Sequence, residues 1–129
     1  MIVADTNVLV YATFKDSEFF DQSIKIIERE DVVIPQIVVY EYIKVLAEIH
    51  PDLDFIRTKI EELKDFKIIP EDIETIENAI NLLNETSLSL KNINDFIILS
   101  LTLKIGGELA TFDNKLRKIA EKISIKVIP

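Results

Sequence analysis

The chain contains no cysteine and no tryptophan, two glycines, one histidine and one methionine. Without cysteine there is no disulfide framework, no thiolate zinc site and no thiol nucleophile. A single histidine, His50, cannot build a multi-histidine metal site and argues against a Ser-His-Asp triad. Gly106 and Gly107 are the only glycines. Neither a dinucleotide-binding glycine loop nor a P-loop can be made from one such pair. No stretch reaches the roughly 18 consecutive apolar residues of a membrane span. The opening Met1-Ile2-Val3-Ala4-Asp5 has no basic n-region, so a secretory signal is not expected, and the expected compartment is the cytoplasm.

What is present is the composition of a folded domain. A chain of 129 residues suits one domain over 1–129 and buries roughly two-thirds of its unfolded surface. It is 48% hydrophobic and 29% charged, which excludes disorder and low complexity. Acidic residues number 23 against 15 basic ones, for a net charge of -8. That balance argues against binding nucleic-acid phosphates by net charge. A local basic patch, or contacts bridged by metal ions, remain open. Isoleucine is abundant, and Lys and Glu dominate the charges. Lys/Glu enrichment fits a thermophile, and an AT-rich genome gives the same bias.

Short apolar runs alternate with longer amphipathic ones. Met1 to Ala4 reads as a buried strand, and Asp5-Thr6-Asn7 then offers N-cap chemistry. Phe19, Phe20, Ile24 and Ile27 recur at helical spacing and predict a helix from about Ser17 to Glu30. Val32 to Ile34 reads as a strand ended by Pro35. A helix from about Gln36 to Ile49 carries Ile37, Tyr40, Ile43 and Leu46, and Pro51-Asp52 starts another. Lys67 to Ile69 is a third strand, closed by Pro70, and Glu71 to Asn84 is helical. Asn92 to Lys104 is a strongly apolar helix, stopped by Gly106-Gly107. Glu108 to Thr111, the helix Asn114 to Lys122 and the strand Ile125 to Ile128 complete the chain. This alternation predicts an α/β fold with a mainly parallel five-stranded sheet and helices on both faces. Ligands in such folds bind beyond the carboxyl ends of the strands, near the point where strand order reverses.

Four acids fall near that end. Asp5 follows the first strand and Asp113 the fourth. Glu41 lies about one turn into the helix after the second strand, between Tyr40 and Tyr42. Asp95 sits in the first turn of the apolar helix, beside Phe96, Ile97 and Ile98. Each has a bland reading: Asp5 and Asp113 as caps, Asp95 as a first-turn acid favouring the helix dipole, Glu41 as a solvated edge. Together they make a stronger case, because acids in apolar surroundings are costly unless paired or metal-bound. Converging carboxylates repel, and some take up protons unless a cation relieves them. Oxygen-only ligands select hard ions, Mg²⁺ or Mn²⁺, whose usual chemistry is assisted hydrolysis of a phosphodiester.

Val3-Ala4-Asp5-Thr6-Asn7-Val8-Leu9 resembles the opening of PIN-domain ribonucleases. Ile34-Pro35 with Glu41, Asn94-Asp95-Phe96-Ile97-Ile98-Leu99, and Leu109-Ala110-Thr111-Phe112-Asp113 extend the resemblance over nearly the whole chain, in order. The resemblance implies a three-layer α/β/α sandwich and an acidic quartet of Asp5, Glu41, Asp95 and Asp113, acting as catalytic residues and as ligands for Mg²⁺ or Mn²⁺. Asn7 and Thr111 match polar positions that support the quartet. The size resembles a VapC-type toxin of a toxin–antitoxin pair, which implies cleavage of single-stranded RNA, a homodimer and a cognate antitoxin protein. Stand-alone PIN proteins share that size. Many family members carry a further acid shortly after the last Asp, where this chain has Asn114 and Lys115, so one or two resident ions remain open.

Lys115, Arg117 and Lys118 cluster beside Asp113. Lys115 and Arg117 are candidate RNA contacts, although a solvated helix face explains the cluster as well. Lys15, Lys44 and Lys91 are weaker candidates for the mouth of the site. Tyr11, Tyr40 and Tyr42 read as core or interface before they read as base-stacking groups. His50 reads as a helix end, and Asp16 to Phe20 as amphipathic packing or part of a partner groove. Two rivals to a nuclease stand: a non-catalytic PIN-like module that binds RNA or protein, and a phosphoryl-transfer enzyme with Asp5 as nucleophile. The second expects an acid two residues on, where this chain has Asn7.

Overall fold

The computed structural model describes residues 1–129. Five strands form one sheet: β1 (Ile2–Ala4), β2 (Val32–Pro35), β3 (Lys67–Ile69), β4 (Glu108–Ala110) and β5 (Val127–Ile128). Their order across the sheet is β3-β2-β1-β4-β5, and every neighbouring pair is parallel. Seven α-helices connect them: α1 (Thr6–Thr13), α2 (Phe20–Ile27), α3 (Gln36–Ile49), α4 (Leu53–Glu62), α5 (Ile73–Asn84), α6 (Ile93–Ile105) and α7 (Asn114–Lys122).

The chain leaves β1 toward β2 and β3, then returns past β1 to β4 and β5. Right-handed crossovers therefore set α1–α4 on one face and α5–α7 on the other. The packing agrees: α1 lies against α2 and α3, α3 against α4, and α5 against α6. This is the three-layer α/β/α sandwich anticipated from the sequence. Strand order reverses at β1, so the crevice of the fold opens beyond the carboxyl ends of β1 and β4.

The central strands are apolar on both faces, as a sheet covered on both sides requires. Ile2, Val3, Ala4, Val33, Ile34, Leu109 and Ala110 are all buried. The apolar helix α6 is buried on most of its surface, with Phe96, Ile98, Leu99 and Leu101 almost fully enclosed. Its end is set by Gly106, which takes the left-handed conformation at φ 63 that a side chain resists. Gly107 is needed for a different reason. A Cβ there would stand 2.8 Å from the Met1 carbonyl oxygen, beside the β1–β4 pairing.

Acidic caps start four helices. Asp5, Asp52, Asp72 and Asp113 accept from the first free N–H groups of α1, α4, α5 and α7. The helix α3 begins at Pro35, which has no side-chain acceptor to give. Glu71 supplies one from the far side of β3, accepting from the Ile37 N–H at 2.7 Å.

Several element limits differ from the sequence reading. The helix expected from Ser17 to Glu30 spans only Phe20–Ile27. The Ser17 hydroxyl donates to the Tyr11 carbonyl, and the Ser17 N–H to Phe14. Serine's local bonding holds that stretch in turns instead of a helix. The last strand pairs only at Val127 and Ile128, since Ser124 turns at positive φ and Ile125 bonds back to Ala120. The fourth strand stops at Ala110, because Thr111 is drawn toward the end of β1.

Ser23 on α2 is fully buried, and its hydroxyl has no partner. A buried hydroxyl left unpaired carries a desolvation cost with no return. Ser23→Ala is expected to stabilise the fold by roughly 1 kcal/mol. The check is a higher urea midpoint with an unchanged slope.

Candidate active site

The crevice predicted by strand order is occupied by the four acids. A cleft of about 330 Å³ is lined by Asp5, Glu41, Asp95 and Asp113, with Thr6, Asn7, Val10, Tyr11 and Val45 completing its wall. The sequence reading placed these carboxylates at one sheet end, and the structure gathers all four around one space.

Asp5 is the most enclosed of them, 6% exposed. It caps α1 through Oδ1, which accepts from the Thr6 N–H at 2.8 Å. Oδ2 accepts from the Thr111 hydroxyl at 2.7 Å and the Asn7 amide at 3.2 Å. The capping reading and the functional reading thus describe two edges of one carboxylate. Burial raises its pKa to about 6; the hydrogen bonds from Thr111 and Thr6 oppose the rise, and the charges of Asp95 and Glu41 add to it.

Asn7 and Thr111 join the ends of β1 and β4. Asn7 donates to Thr111 Oγ1 at 3.2 Å and accepts from the Phe112 N–H at 3.1 Å. Thr111, fully buried, also accepts from the Asp113 N–H at 3.1 Å. One threonine hydroxyl therefore touches Asp5, Asn7 and the backbone of Asp113. Both residues were expected on the strength of the resemblance, and here they form a connected network.

Glu41 sits in the second turn of α3, half-buried. Its Oε1 accepts from the Thr6 hydroxyl at 2.8 Å, and Oε2 has a longer 3.5 Å contact from the Asn94 amide. These two positioning residues were missed in the sequence. Thr6 figures in the sequence as part of a cap and of the opening motif, and Asn94 as a member of the motif that holds Asp95, neither with a role of its own. The available signal was adjacency, since each lies next to an acid in sequence.

Asp95 stands in the first turn of α6 and makes no hydrogen bond to the backbone there. It does not satisfy backbone N–H groups of that turn, although its place in the first turn still favours the helix dipole. Burial raises its pKa, the charges of Asp113 and Glu41 raise it further, and Lys115 lowers it. Asp113 does cap: its Oδ1 accepts from Lys115 N at 2.9 Å and Leu116 N at 3.3 Å, at the exposed rim. Asn114 and Lys115 follow it, so no further acid adjoins that rim.

No three of the acids stand together as a ready-made ligand cage. Asp5, Glu41 and Asp113 each take separate hydrogen-bond donors, and Asp95 takes none. The donor set still fits a hard divalent cation. It is all oxygen, concave, partly dry and strongly anionic.

The other candidates separate. Lys15, Lys44 and Lys91 do not line the cleft. Tyr11 does, packed edge-on against Phe19 and Phe112, whose rings stack 4.6 Å apart. Tyr42 is buried against Thr13, and Tyr40 is exposed beside Gln36. His50 ends α3. Arg117 turns away from the rim and donates to the Thr111 carbonyl at 3.2 Å. It supports the β4 end, and its expected role as an RNA contact is weakened, because that bond directs it back onto its own backbone.

Burying ionisable Asp5 has a pH signature. Its carboxyl titrates at 3.8 ordinarily and at about 6 here. Below about 4 both folded and unfolded chains hold the proton, and the site costs nothing. The cost builds as pH rises from about 4 to about 6, and is complete above that. At roughly 1.4 kcal/mol per pH unit it reaches about 3 kcal/mol. Melts in EDTA are expected to show a more stable protein at pH 5 than at pH 7.5. Asp5→Asn should lose most of that gain.

The family model of the PIN domain matches residues 2–122. No curated protein matches the chain in sequence. Among solved structures, a toxin–antitoxin complex from Klebsiella pneumoniae is similar at 23% identity, covering 89% of this chain and 88% of that one, with a TM-score of 0.70. The VapC20 toxin of Mycobacterium tuberculosis, described as cleaving the sarcin-ricin loop, is similar at 14% identity over 92% and 94% of the two chains, with a TM-score of 0.75. VapBC2 of Rickettsia felis, bound to a promoter DNA fragment, is similar at 21% identity over 99% and 98%, with a TM-score of 0.74. These structures share the fold of this chain.

Proposed function

The chain belongs to the PIN domain family, and we propose that it is a metal-dependent endoribonuclease that hydrolyses phosphodiester bonds of single-stranded RNA. The observation carrying this reading is one cleft at the strand-order reversal, lined by four carboxylates from four different elements. Asp5, Glu41, Asp95 and Asp113 would hold Mg²⁺ or Mn²⁺, with Asp5 as the central ligand. Bound there, the cation would supply Lewis-acid activation of water and of the phosphodiester. The chain's own part is orientation. Thr111, Asn7 and the Thr6 N–H fix both edges of Asp5, while Thr6 and Asn94 fix Glu41. Val10, Val45 and Tyr11 supply an apolar wall that keeps these charges strong.

We further propose that the protein is the toxin of a toxin–antitoxin pair, a single domain over 1–129 that works in the cytoplasm. The support is similarity to solved toxins and toxin–antitoxin complexes. A cognate antitoxin protein and a homodimer belong to this reading. Exposed Ile73 and Ile80 on α5 and Leu103 on α6 offer apolar surface for such contacts. No helix is long and apolar enough to cross a membrane.

A second reading, a non-catalytic binding module, is favoured by Asn114 and Lys115 at the rim, where the resemblance implies a further acid. The phosphoryl-transfer alternative is disfavoured, since Asn7 is committed to Thr111, Asp5 and Phe112. The deciding experiment incubates mixed-sequence single-stranded RNA with Mn²⁺, Mg²⁺ or EDTA and analyses the new ends. The nuclease reading expects cation-dependent cuts that leave linear phosphate ends, because water is the attacking group. Cyclic phosphate ends, or cutting that persists in EDTA, would overturn it; no cutting at high enzyme concentration together with no binding of Mn²⁺ would favour the binding module.

A further inference from the structure

A second hollow lies outside the carboxylate cleft. It measures about 520 Å³, between the end of α5, the loop that follows it and one face of α7. That size is within the range of about 300–1,000 Å³ typical of ligand sites. Its floor is apolar, made by Leu82, Leu88, Phe96 and Ile119. Its rim carries Lys115, Lys118 and Lys122, spaced three and four residues apart along one face of α7.

Most lysines of this chain make no ion pair, and these three are set apart by lining one hollow together. The net charge is -8, and the ion pairs engage Arg29, Arg57, Lys59, Lys64, Lys104 and Lys126. The three α7 lysines make none, and Lys115 donates only to the Asn92 side chain, at 3.0 Å. Stabilisation of the helix dipole does not account for the row. Lys122 is in the last turn, but Lys115 is in the first, where a cation is disfavoured. A row of three lysines against one acid, Glu85, around an apolar hollow has the chemistry of a nucleotide site, with phosphate on the rim and base within.

The cavity also adjoins the cleft. Phe96 lines the cavity, and its neighbour Asp95 lines the cleft. Lys115 is on the cavity rim two residues after Asp113. A strand whose reacting phosphate sits at the carboxylates meets Lys115 first and then Lys118 and Lys122, a row about 10 Å long.

We propose that this cavity is a nucleotide subsite for single-stranded RNA, in which Lys118 and Lys122 hold phosphates flanking the cut and the apolar floor takes one unstacked base. The proposal rests on the nuclease reading and adds to it the path of the strand. Glu85 and Ser87 stand at the same rim, with a carboxylate acceptor and a hydroxyl for a base edge, while the Thr86 hydroxyl is taken up by Leu83 and Leu88. The need for an unstacked base makes the site one for single strands over duplexes.

The test is fluorescence anisotropy with a short labelled single-stranded RNA of mixed sequence, in EDTA, over a range of salt. The variants are Lys118→Ala with Lys122→Ala, and Leu88→Ala alone. The lysines are exposed, so their removal leaves the core intact. The double variant is expected to bind roughly tenfold more weakly at low salt, with a salt slope smaller by about 0.7 for each lost phosphate contact. Leu88→Ala is expected to weaken binding roughly threefold to tenfold with the slope unchanged, because an apolar contact releases no counterions. A same-length RNA duplex is expected to bind more weakly. Unchanged affinity and slope in the double variant would overturn the proposal. So would lysine-dependent binding of an acidic peptide in place of RNA, which would assign the cavity to a protein partner. Lysine-dependent RNA binding without any Mn²⁺-dependent cutting would leave the subsite standing and sink the nuclease reading.

Discussion

Asp5→Asn is expected to lower RNA cleavage by at least about 1,000-fold, equivalent to roughly 4 kcal/mol of transition-state stabilisation. The substitution keeps the shape and the cap, since an amide oxygen still accepts from the Thr6 N–H. It removes the negative charge at the most enclosed position of the cleft, where a cation has least competition from water. It also sets an amide N–H against the Asn7 amide, where Oδ2 now accepts. That mismatch offsets part of the stability gained by removing a buried charge. A near-native melting temperature with cleavage lost would therefore mark a chemical role. Undiminished cleavage would remove Asp5 from the site.

Thr111→Val is expected to have the second largest effect, through geometry. The valine keeps the volume and deletes the hydroxyl that Asp5 Oδ2, Asn7 and the Asp113 N–H share. Asp5 loses its shortest side-chain partner, and the Asp113 N–H loses its acceptor. Stranded buried groups cost about 1–3 kcal/mol. Groups that orient metal ligands cost about 10–100-fold in affinity or activity when removed. The Thr111 bond also holds the Asp5 pKa down, so its loss should push the Asp5 titration above 6. Thr111→Ser restores the hydroxyl and is expected to recover most of the activity. If valine and serine behaved alike, the hydroxyl would have no role.

Much of the fold was legible because strands and helices carry unmistakable patterns here. β1, β2 and β3 are short β-branched runs bounded by Asp5, Pro35 and Pro70. The apolar α6 ends at Gly106, where a left-handed residue is required. The turn before α2 was not legible, since Phe19, Phe20, Ile24 and Ile27 keep helical spacing across it. Only the Ser17 hydroxyl, bonded to the Tyr11 carbonyl, shows why the helix starts late.

Asp5 and Asp113 were legible as acids that each follow an apolar strand run, while Glu41 and Asp95 drew notice from their apolar surroundings early in a helix and were joined to the others by the family resemblance. Their support was legible only in part. Asn7 and Thr111 lie 104 residues apart in sequence, and only the pairing of β1 with β4 brings them together. The Thr6–Glu41 bond spans 35 residues and depends on how α3 packs against α1. Charge runs were the least informative signal. Lys115, Arg117 and Lys118 looked like one cluster, yet helical geometry sends Arg117 to the Thr111 carbonyl and leaves the lysines on another face.

The central proposal is that the four separated carboxylates of the cleft bind a divalent cation. Calorimetric titration of Mn²⁺ into the metal-free protein at pH 7.5 tests it most directly, before any RNA is added. Saturable binding that is lost in Asp5→Asn is the predicted result, with the wild type gaining about 2.7 kcal/mol of stability at a hundredfold excess over the dissociation constant. Absence of binding, or equal binding by wild type and Asp5→Asn, would contradict it.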